Sequence, residues 1–144
     1  TLRVPAIVYW PGRIAAPVVV EETVDFTDWF PTVLEMAGCS LPGNTTLRGQ
    51  SILPLFHGKA GRWNNDLYAE YKELRTYRTT EWKIVLDFSG DHRHELYDLL
   101  NDPEEKQNLY GSRDAAVVKQ RDLLKDKLLA KMKAIKDPLI ANSP

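Results

Sequence analysis

Four short runs rich in Tyr, Val, Ile and Trp follow one another between residues 67 and 99, and they constrain the fold more than any other feature. The runs are LYAEY, RTYRT, WKIVLDF and HELYDL. The triplet TTE and the pentapeptide SGDHR separate the later runs, and connections this short join antiparallel strands. The sequence therefore predicts a small antiparallel sheet.

A long amphipathic helix is predicted directly after these strands, between Ser112 as its N-cap and Asp137-Pro138 as its stop. One stripe of apolar residues follows helical spacing. It consists of Val117, Leu124, Leu128, Met132 and Ile135. Because such a stripe needs a surface to cover it, we expect this helix to pack on the predicted sheet.

The beginning of the chain has a different pattern. Arg3 to Trp10 is a continuous apolar run closed by Pro11-Gly12, which is typical of a parallel strand buried on both faces. Residues 17–26 predict a second, short extended piece. The Gly- and Asn-containing segment from Gly58 to Asp66 is the predicted boundary between two parts of the chain.

Two helices are predicted between these extended pieces and the boundary. Thr27 or Asp28 can cap the first helix, in which Pro31 falls among the four positions that need no intrahelical N–H partner. Gly38 is its predicted stop. The second helix is predicted to run from Ser51 to Gly58.

Composition excludes some classes of partner. Nineteen Lys and Arg residues face twenty Asp and Glu residues, for a net charge of -1. This balance provides no basic surface for nucleic acid, and no apolar run approaches the roughly 20 residues of a membrane span. The chain starts at Thr1 and enters an apolar run at once, so we expect it to be a piece of a longer protein.

The acidic stretch HELYDLLNDPEEKQNL, residues 94–109, is the first candidate for chemistry. A calcium loop needs alternating oxygen ligands and a central glycine, and this stretch has neither. We predict instead that Asn101-Asp102-Pro103 turns the chain and that the acidic side chains lie at a helix N-terminus, where the dipole favours them. Asn108-Leu109 would then hold the following loop.

Histidines and aromatic side chains are the other candidates. His92 and His94 would share one face of an extended segment, but a hairpin turn is the favoured interpretation and no third metal ligand is near. His57 is interpreted as a cation at a helix C-terminus. The aromatic residues of the strand region can form either a ring-stacking surface or, more commonly, the core of the sheet. We predict no catalytic residue and no metal ligand in this chain.

The order of the motifs resembles the C-terminal part of the sulfatase family. The matching stretches are LRVPAIVYWPGRI, VDFTDWFPTVLEMAG, LRGQSILPLFHGK, RTYRTTEWKIVL and ELYDLLNDPEEKQNL. Each motif is weak alone, but five in the same order cover nearly the whole chain. The resemblance therefore implies a fold related to alkaline phosphatase.

This resemblance implies an α/β fold in two parts. Residues 1–62 would be the remainder of the large α/β catalytic domain, and residues 63–144 a C-terminal subdomain in which a small antiparallel sheet is packed by the long helix. The family's formylglycine nucleophile and its divalent cation, usually calcium, belong to sequence upstream of this chain. Cys39 lacks the Pro and Arg that follow that nucleophile, so this chain alone is predicted to be inactive.

The resemblance also implies partners. These are the N-terminal part of the sulfatase and, for the whole enzyme, a sulfated small molecule or glycan. The isolated chain is expected to self-associate through its unpaired strand. Family members occur in the periplasm, outside cells or in lysosomes, and the sequence does not choose among these locations.

Residues of the sulfatase C-terminal part reach the rim of the substrate cleft, and YAEYKELRTYR is the predicted rim segment. Lys72 and Arg75 would face an anionic substrate, and Tyr71 or Tyr77 would stack on it. Ordinary solvated hairpin residues are the alternative interpretation. A phosphate or phosphonate ester hydrolase of the same superfamily and a non-catalytic binding module remain alternatives for the function.

Overall fold

The computed structural model describes residues 4–41, 43–59 and 61–141, and the chain divides into two compact units, Thr1–Asn64 and Asn65–Pro144. The division falls inside the segment from Gly58 to Asp66, where the sequence changes its pattern. Each unit has its own set of contacts and is described by itself.

The second unit contains the predicted antiparallel sheet. Its strands are β1 (Leu67–Tyr71), β2 (Leu74–Arg78), β3 (Trp82–Asp87) and β4 (Glu95–Asp98). Each strand pairs with the next along the chain, and every pairing is antiparallel. These pairings confirm the four strands predicted from short β-rich runs. The physical reason is that connections of this length can join only neighbouring antiparallel strands.

Helix α3 (Ala115–Ala134) follows the sheet and packs on β2 and β3. Asp114 caps it, because its Oδ1 accepts hydrogen bonds from the N–H groups of Ala116 and Val117 at 2.9 and 3.1 Å. The predicted cap, Ser112, instead accepts a hydrogen bond from the Asp114 N–H at 3.2 Å. Ser112 thus shapes the entry to the helix, and the helix begins two residues later than it would with Ser112 as the cap.

One face of the sheet and one stripe of α3 form the core of the second unit. The buried side chains are Ile84, Leu86, Leu96, Leu124, Leu128 and Met132. Three members of the predicted helix stripe are among them, and they are completely inaccessible to solvent. The antiparallel sheet and the long packing helix therefore have the arrangement that the sequence predicts.

The chain continues beyond Asp137 as a second, short helix, α4 (Pro138–Ala141). Lys136 adopts a left-handed backbone (φ +56°), which ends the preceding helix. Pro138 then occupies the first position of α4, where its missing N–H is not needed. Asp137-Pro138 therefore does more than stop a helix, since it connects two helices, and the buried Asp137 side chain is bound to Tyr68 and Arg75 of the sheet.

The first unit contains a 3₁₀ turn (Phe26–Asp28), helix α1 (Trp29–Met36) and helix α2 (Leu53–Phe56). Pro31 occupies the third position of α1, as predicted, and Gly38 follows the helix with φ +66°. Helix α2 is shorter than the predicted span from Ser51, because Ile52 is its N-cap and His57 its C-cap.

A small polar network joins the start of α1 to the loop before α2. The Asp28 Oδ1 accepts a hydrogen bond from the Gln50 N–H at 2.9 Å. The buried Thr32 hydroxyl donates to the Asp28 carbonyl oxygen at 2.5 Å and accepts from the Ile52 N–H at 3.0 Å. A side chain at Gly49 would place its Cβ 2.3 Å from the Thr27 carbonyl carbon, so only glycine fits there.

The strand predicted for Arg3 to Trp10 is not formed. Arg3 lies outside the described residues, and residues 4–10 have no regular secondary structure. Ile7 and Tyr9 are 92% and 86% exposed. A strand buried on both faces needs a neighbour on each side, and no described residue of the first unit is in a strand; residues 17–26 likewise contain none.

We expect Gly49→Ala to disrupt the polar network of the first unit, because the new methyl group would collide with backbone rather than with a movable side chain. The loss of stability should be about 2 kcal/mol or more, since buried N–H groups of the network would lose their acceptors. Limited proteolysis between residues 40 and 52 measures the opening. Gly43→Ala is the matched control, because nothing lies within 4 Å of its added Cβ, and equal cleavage of both variants would contradict the prediction.

Candidate functional site

The predicted rim segment forms the hairpin of β1 and β2. Tyr71 pairs with Leu74, so Lys72 and Glu73 make the two-residue turn between the strands. Lys72 adopts a left-handed backbone (φ +50°), and its Nζ lies 5.6 Å from the centroid of the Tyr71 ring. Tyr71 is 68% exposed. The turn therefore presents an aromatic ring with an ammonium group over it to solvent, which is a cation–π geometry.

Arg75 occupies a different environment from Lys72. Its side chain is buried, and its guanidinium makes two hydrogen bonds to the Asp137 carboxylate, Nε to Oδ2 at 2.6 Å and Nη2 to Oδ1 at 3.1 Å. Its Nη1 donates to the carbonyl oxygens of Lys72 and Leu74 at 2.6 and 2.9 Å. Arg75 therefore does not face solvent. Arg75 binds the backbone carbonyl oxygens of the turn and connects the turn to Asp137, which lies between α3 and α4.

The ion pair has strong electrostatic consequences. The hydrogen bonds from Arg75 lower the pKa of the Asp137 carboxyl to about 2, against the opposing effect of burial. Burial alone would lower the pKa of Arg75, but the hydrogen bond and charge of Asp137 outweigh it and raise that pKa. The Tyr68 hydroxyl donates to Asp137 Oδ2 at 2.7 Å, and burial with this hydrogen bond raises the pKa of Tyr68. All three side chains therefore have a fixed protonation state at neutral pH.

Tyr77 is also engaged within the second unit. Its hydroxyl donates to Asp66 Oδ2 at 2.6 Å, and burial followed by this hydrogen bond raises its pKa. The Lys127 Nζ lies 5.9 Å from the ring centroid and 3.6 Å from the same Asp66 oxygen. Of the four predicted rim residues, the hairpin turn therefore brings Tyr71 and Lys72 to the surface together. Arg75 and Tyr77 are bound to carboxylates.

The sequence predicts Asp137 as part of a helix stop and does not predict that Asp137 and Tyr68 form a network with Arg75. Asp137 lies 62 residues after Arg75, and its position before a proline is explained equally well by a helix stop. A long-range buried pair leaves no local pattern. The one available signal was an acidic residue next to the apolar end of an amphipathic helix.

The acidic stretch 94–109 contains turn-capping carboxylates rather than a site. The Asp98 carboxylate accepts hydrogen bonds from Asn101 Nδ2 and from the N–H groups of Leu100 and Asn101, and the Asn101 side chain contributes most to lowering its pKa. Asp102 accepts from the Gln107 N–H at 2.8 Å, which lowers its pKa in the same way. These carboxylates lack the environment that would raise the pKa of a general acid.

The predicted helix after Pro103 does not form. Residues 99–114 are turns and irregular backbone, and the next helix begins at Ala115. Glu105 pairs instead with Lys83 on β3. The Asn108 Oδ1 accepts from the Leu96 N–H, and its Nδ2 donates to the His94 carbonyl oxygen, both at 3.0 Å. Asn108 therefore holds the loop as predicted, and hydrogen bonds within the turns take the place of a helix dipole.

The remaining candidates show no convergence of metal ligands. His94 Nδ1 accepts a backbone hydrogen bond, and its ring centroid lies 5.9 Å from that of His92. Cys39 is exposed. Within residues 4–41, 43–59 and 61–141, no three His, Cys, Asp or Glu side chains are placed to hold a metal ion. Among the same residues no helix is both long and apolar enough to cross a membrane.

An open cleft of about 710 Å³ lies in the first unit beside the C-terminal end of α1. Trp10, Arg13, Glu35 and His57 line it, and the Arg13 guanidinium carbon lies 5.9 Å from the centroid of the Trp10 ring. Arg13, Glu35 and His57 are exposed side chains, so the cleft offers polar groups but no buried charge.

We expect Asp137→Asn to lower the free energy of unfolding of the second unit by about 3 kcal/mol, because the Arg75 charge would stay buried without its partner. Chemical denaturation followed by circular dichroism, to which the 20-residue helix α3 contributes, measures this loss. Asp122→Asn is the matched control, since its carboxylate pairs with Arg121 at an exposed position, and it should change stability by less than about 0.5 kcal/mol.

The same pair predicts an acid dependence. Because the folded pKa of Asp137 lies below the ordinary aspartate value of about 3.9, its contribution is complete above that value and is lost as the pH falls towards 2. The Asn variant should therefore lose less stability than the parent chain between these two pH values. A parallel decline in both proteins would contradict the role of the pair.

Comparison with known proteins identifies the family to which these elements belong. The family described as N-sulphoglucosamine sulphohydrolase, C-terminal, matches residues 1–134. The ulvan-active sulfatase of Formosa agariphila is 30% identical over an alignment that covers 98% of this chain and 35% of that protein. Human arylsulfatase A is 34% identical, with 88% of this chain and 31% of that protein covered.

Solved structures share the fold. A protein crystallised with its substrate D-glucosamine-2-N,6-O-disulfate superposes with a TM-score of 0.65 at 26% identity, over 76% of this chain and 24% of that one. A protein of glycosaminoglycan metabolism in Bacteroides thetaiotaomicron gives 0.66 at 25% identity, over 90% and 30%. The phosphonate monoester hydrolase of Agrobacterium radiobacter, at 23% identity and a TM-score of 0.57 over 72% of this chain and 23% of that one, shows the shared fold alone.

The chain spans about a third or less of the length of these relatives. The matched family covers residues 1–134, and the fold of the chain is shared with the solved structures. The chain belongs to the sulfatase family and corresponds to the C-terminal part of its members.

Proposed function

We propose that this chain is the C-terminal part of an enzyme that hydrolyses sulfate esters, with aryl or carbohydrate sulfates as substrates. The observation that carries the proposal is the match of residues 1–134 to a sulfatase C-terminal family. The names of its relatives support it, since they include an ulvan-active sulfatase and arylsulfatase A.

In this proposal the chemistry resides in the N-terminal part of the enzyme. A formylglycine and a divalent cation, calcium in the family, would act there. The described residues of this chain do not fit either group, because they include no cluster of three metal ligands and because exposed Cys39 is followed by Ser-Leu-Pro-Gly. The chain would therefore contribute structure and substrate contacts, and no step of the hydrolysis is assigned to its residues.

The exposed apolar side chains of the first unit would contact that N-terminal part. Ile7, Tyr9, Val19 and Phe26 are each at least 75% exposed, which is unusual for large apolar residues so close together in sequence. Val4 to Trp10 would pair as a strand once neighbouring strands are present, which agrees with its apolar sequence. Without that partner, the chain would associate with itself through the same residues.

The turn between β1 and β2 would supply the rim of the substrate cleft. Lys72 offers a cation for a sulfate group and Tyr71 offers a ring for a sugar face, and both are exposed. Arg75 would act indirectly, because its hydrogen bond to the Lys72 carbonyl oxygen fixes the backbone from which these two side chains extend. Tyr77 would stabilise the same hairpin through Asp66.

We expect the purified 144-residue chain to release no sulfate from an aryl sulfate, and the protein that also carries its N-terminal part to release sulfate at an enzymatic rate. The measurement is sulfate release under identical conditions, with a phenylphosphonate ester as the competing substrate. Enzymatic turnover by the 144-residue chain alone would contradict the proposal. Preferential cleavage of the phosphonate ester would assign the enzyme to the alternative reaction.

A second prediction concerns the rim. In the protein with both parts, Lys72→Ala should raise KM for a sulfated oligosaccharide about fivefold to tenfold and leave kcat nearly unchanged, because one charge-assisted contact made equally in the ground and transition states is lost. Lys119→Ala removes the same charge from an exposed position on α3 and is the matched control. Equal kinetic constants for the two variants would contradict the proposed role of Lys72 in substrate binding.

A further inference from the structure

The loop that joins β3 to β4 is closed by two sets of hydrogen bonds, and both start at Asp87. The buried Asp87 carboxylate accepts from the Ser89 N–H and hydroxyl at 2.9 and 2.6 Å, and from the Arg93 N–H and Nε, both at 3.2 Å. The Asp87 N–H donates to His94 Nδ1 at 3.0 Å. The second closure exists only while Nδ1 carries a lone pair, that is, while this nitrogen is unprotonated.

The His94 ring is held in place from the other side. Its centroid lies 4.8 Å from that of Tyr110, and the His94 carbonyl oxygen accepts from Asn108 Nδ2 at 3.0 Å. Arg121 on α3 also contacts Tyr110, with its guanidinium carbon 5.5 Å from the Tyr110 ring centroid and its Nη1 donating to the Tyr110 carbonyl oxygen. The ring thus packs against Tyr110 with its Nδ1 at the Asp87 N–H.

Burial and most of the nearby charges favour the neutral form of His94. Burial lowers its pKa most, and the charges of His92 on the loop and Lys125 on α3 lower it further. Asp87 opposes them, but its carboxylate is already engaged by Ser89 and Arg93, and its pKa is lowered chiefly by the Ser89 hydroxyl. The neutral imidazole is thus the form that fits the folded loop.

We propose that His94 is a pH-sensitive latch of the β3–β4 loop. The neutral ring accepts a hydrogen bond from the Asp87 N–H and closes the His94 end of the loop. When a proton from solvent binds Nδ1, the ring N–H and the Asp87 N–H are both donors, so this hydrogen bond breaks and the His94 end of the loop opens. The contacts of the Asp87 carboxylate with Ser89 and Arg93 and the pairing of the sheet remain. This device is independent of the proposed hydrolysis and can be tested in the 144-residue chain.

The direction of the pH dependence follows from the lowered pKa. Above the ordinary histidine pKa of about 6.5, the folded and unfolded chains both carry neutral His94, and the hydrogen bond contributes fully. As the pH falls from this value through the lower folded pKa, the unfolded or open state binds more protons than the closed state, so the closed loop loses stability.

Amide hydrogen exchange of the Asp87 N–H tests the latch. Between about pH 7.5 and about pH 5, its protection factor should fall about tenfold after correction for the intrinsic exchange rate, because one partly buried hydrogen bond is lost. The Ile84 amide, within the middle of β3, should keep its protection across the same range. An Asp87 protection factor that does not change between these pH values would overturn the proposal.

Three variants identify the titrating group. In His94→Asn the amide Oδ1 takes the place of Nδ1 and accepts without titrating, so Asp87 should stay protected at both pH values. His94→Ala should lose this protection at both, and His92→Asn should keep a transition that moves to higher pH, because the His92 charge that lowers the pKa of His94 is gone. A transition that survives in His94→Asn or disappears in His92→Asn would assign the titration to another group and refute the latch. Because His94→Asn keeps the hydrogen bond, the test does not depend on the folding of the alanine variant.

Discussion

The ion pair between Arg75 and Asp137 is the contact on which the second unit depends. It connects the β1–β2 turn, through the Lys72 and Leu74 carbonyl oxygens, with the junction of α3 and α4. Removing two charges from water is unfavourable unless each finds several partners, and here both do. Tyr68 and the Leu139 N–H complete the hydrogen bonds of the carboxylate. The pair therefore sets where the helix ends relative to the hairpin, which apolar packing alone would leave less defined.

The first unit is stabilised differently, since its apolar side chains are largely exposed and a polar network joins its two helices. Asp28 and Thr32 provide acceptors for backbone N–H groups of the segment that precedes α2, and Gly49 allows the two backbones to approach. The stretches VDFTDWFPTVLEMAG and LRGQSILPLFHGK are thus joined by one network.

Much of the second unit could be predicted from the sequence because its contacts are local. Short β-rich runs with brief connections allow little besides a meander, and Leu124, Leu128 and Met132 follow helical spacing closely enough to identify the buried face. The acidic stretch 94–109 was harder, because the same carboxylates suit a helix N-terminus and a series of capped turns. The hydrogen bonds of Asp98 and Asp102 to nearby N–H groups decide for turns. The run Val4–Trp10 shows the opposite limit, since its apolar pattern predicts a strand that cannot form without neighbouring strands.

The family could be recognised from the order of motifs along the chain, and the antiparallel sheet and packing helix could be predicted from periodicity. The exposure of the four rim residues, in contrast, became known from the three-dimensional fold. Arg75 has a side chain suited to binding anions, yet it is buried against a carboxylate 62 positions away in sequence. Lys72, in the turn, is exposed. The reason is that a charged side chain takes its role from the partner that meets it in space. Sequence patterns record spacing along the chain and contain no information about such a distant partner.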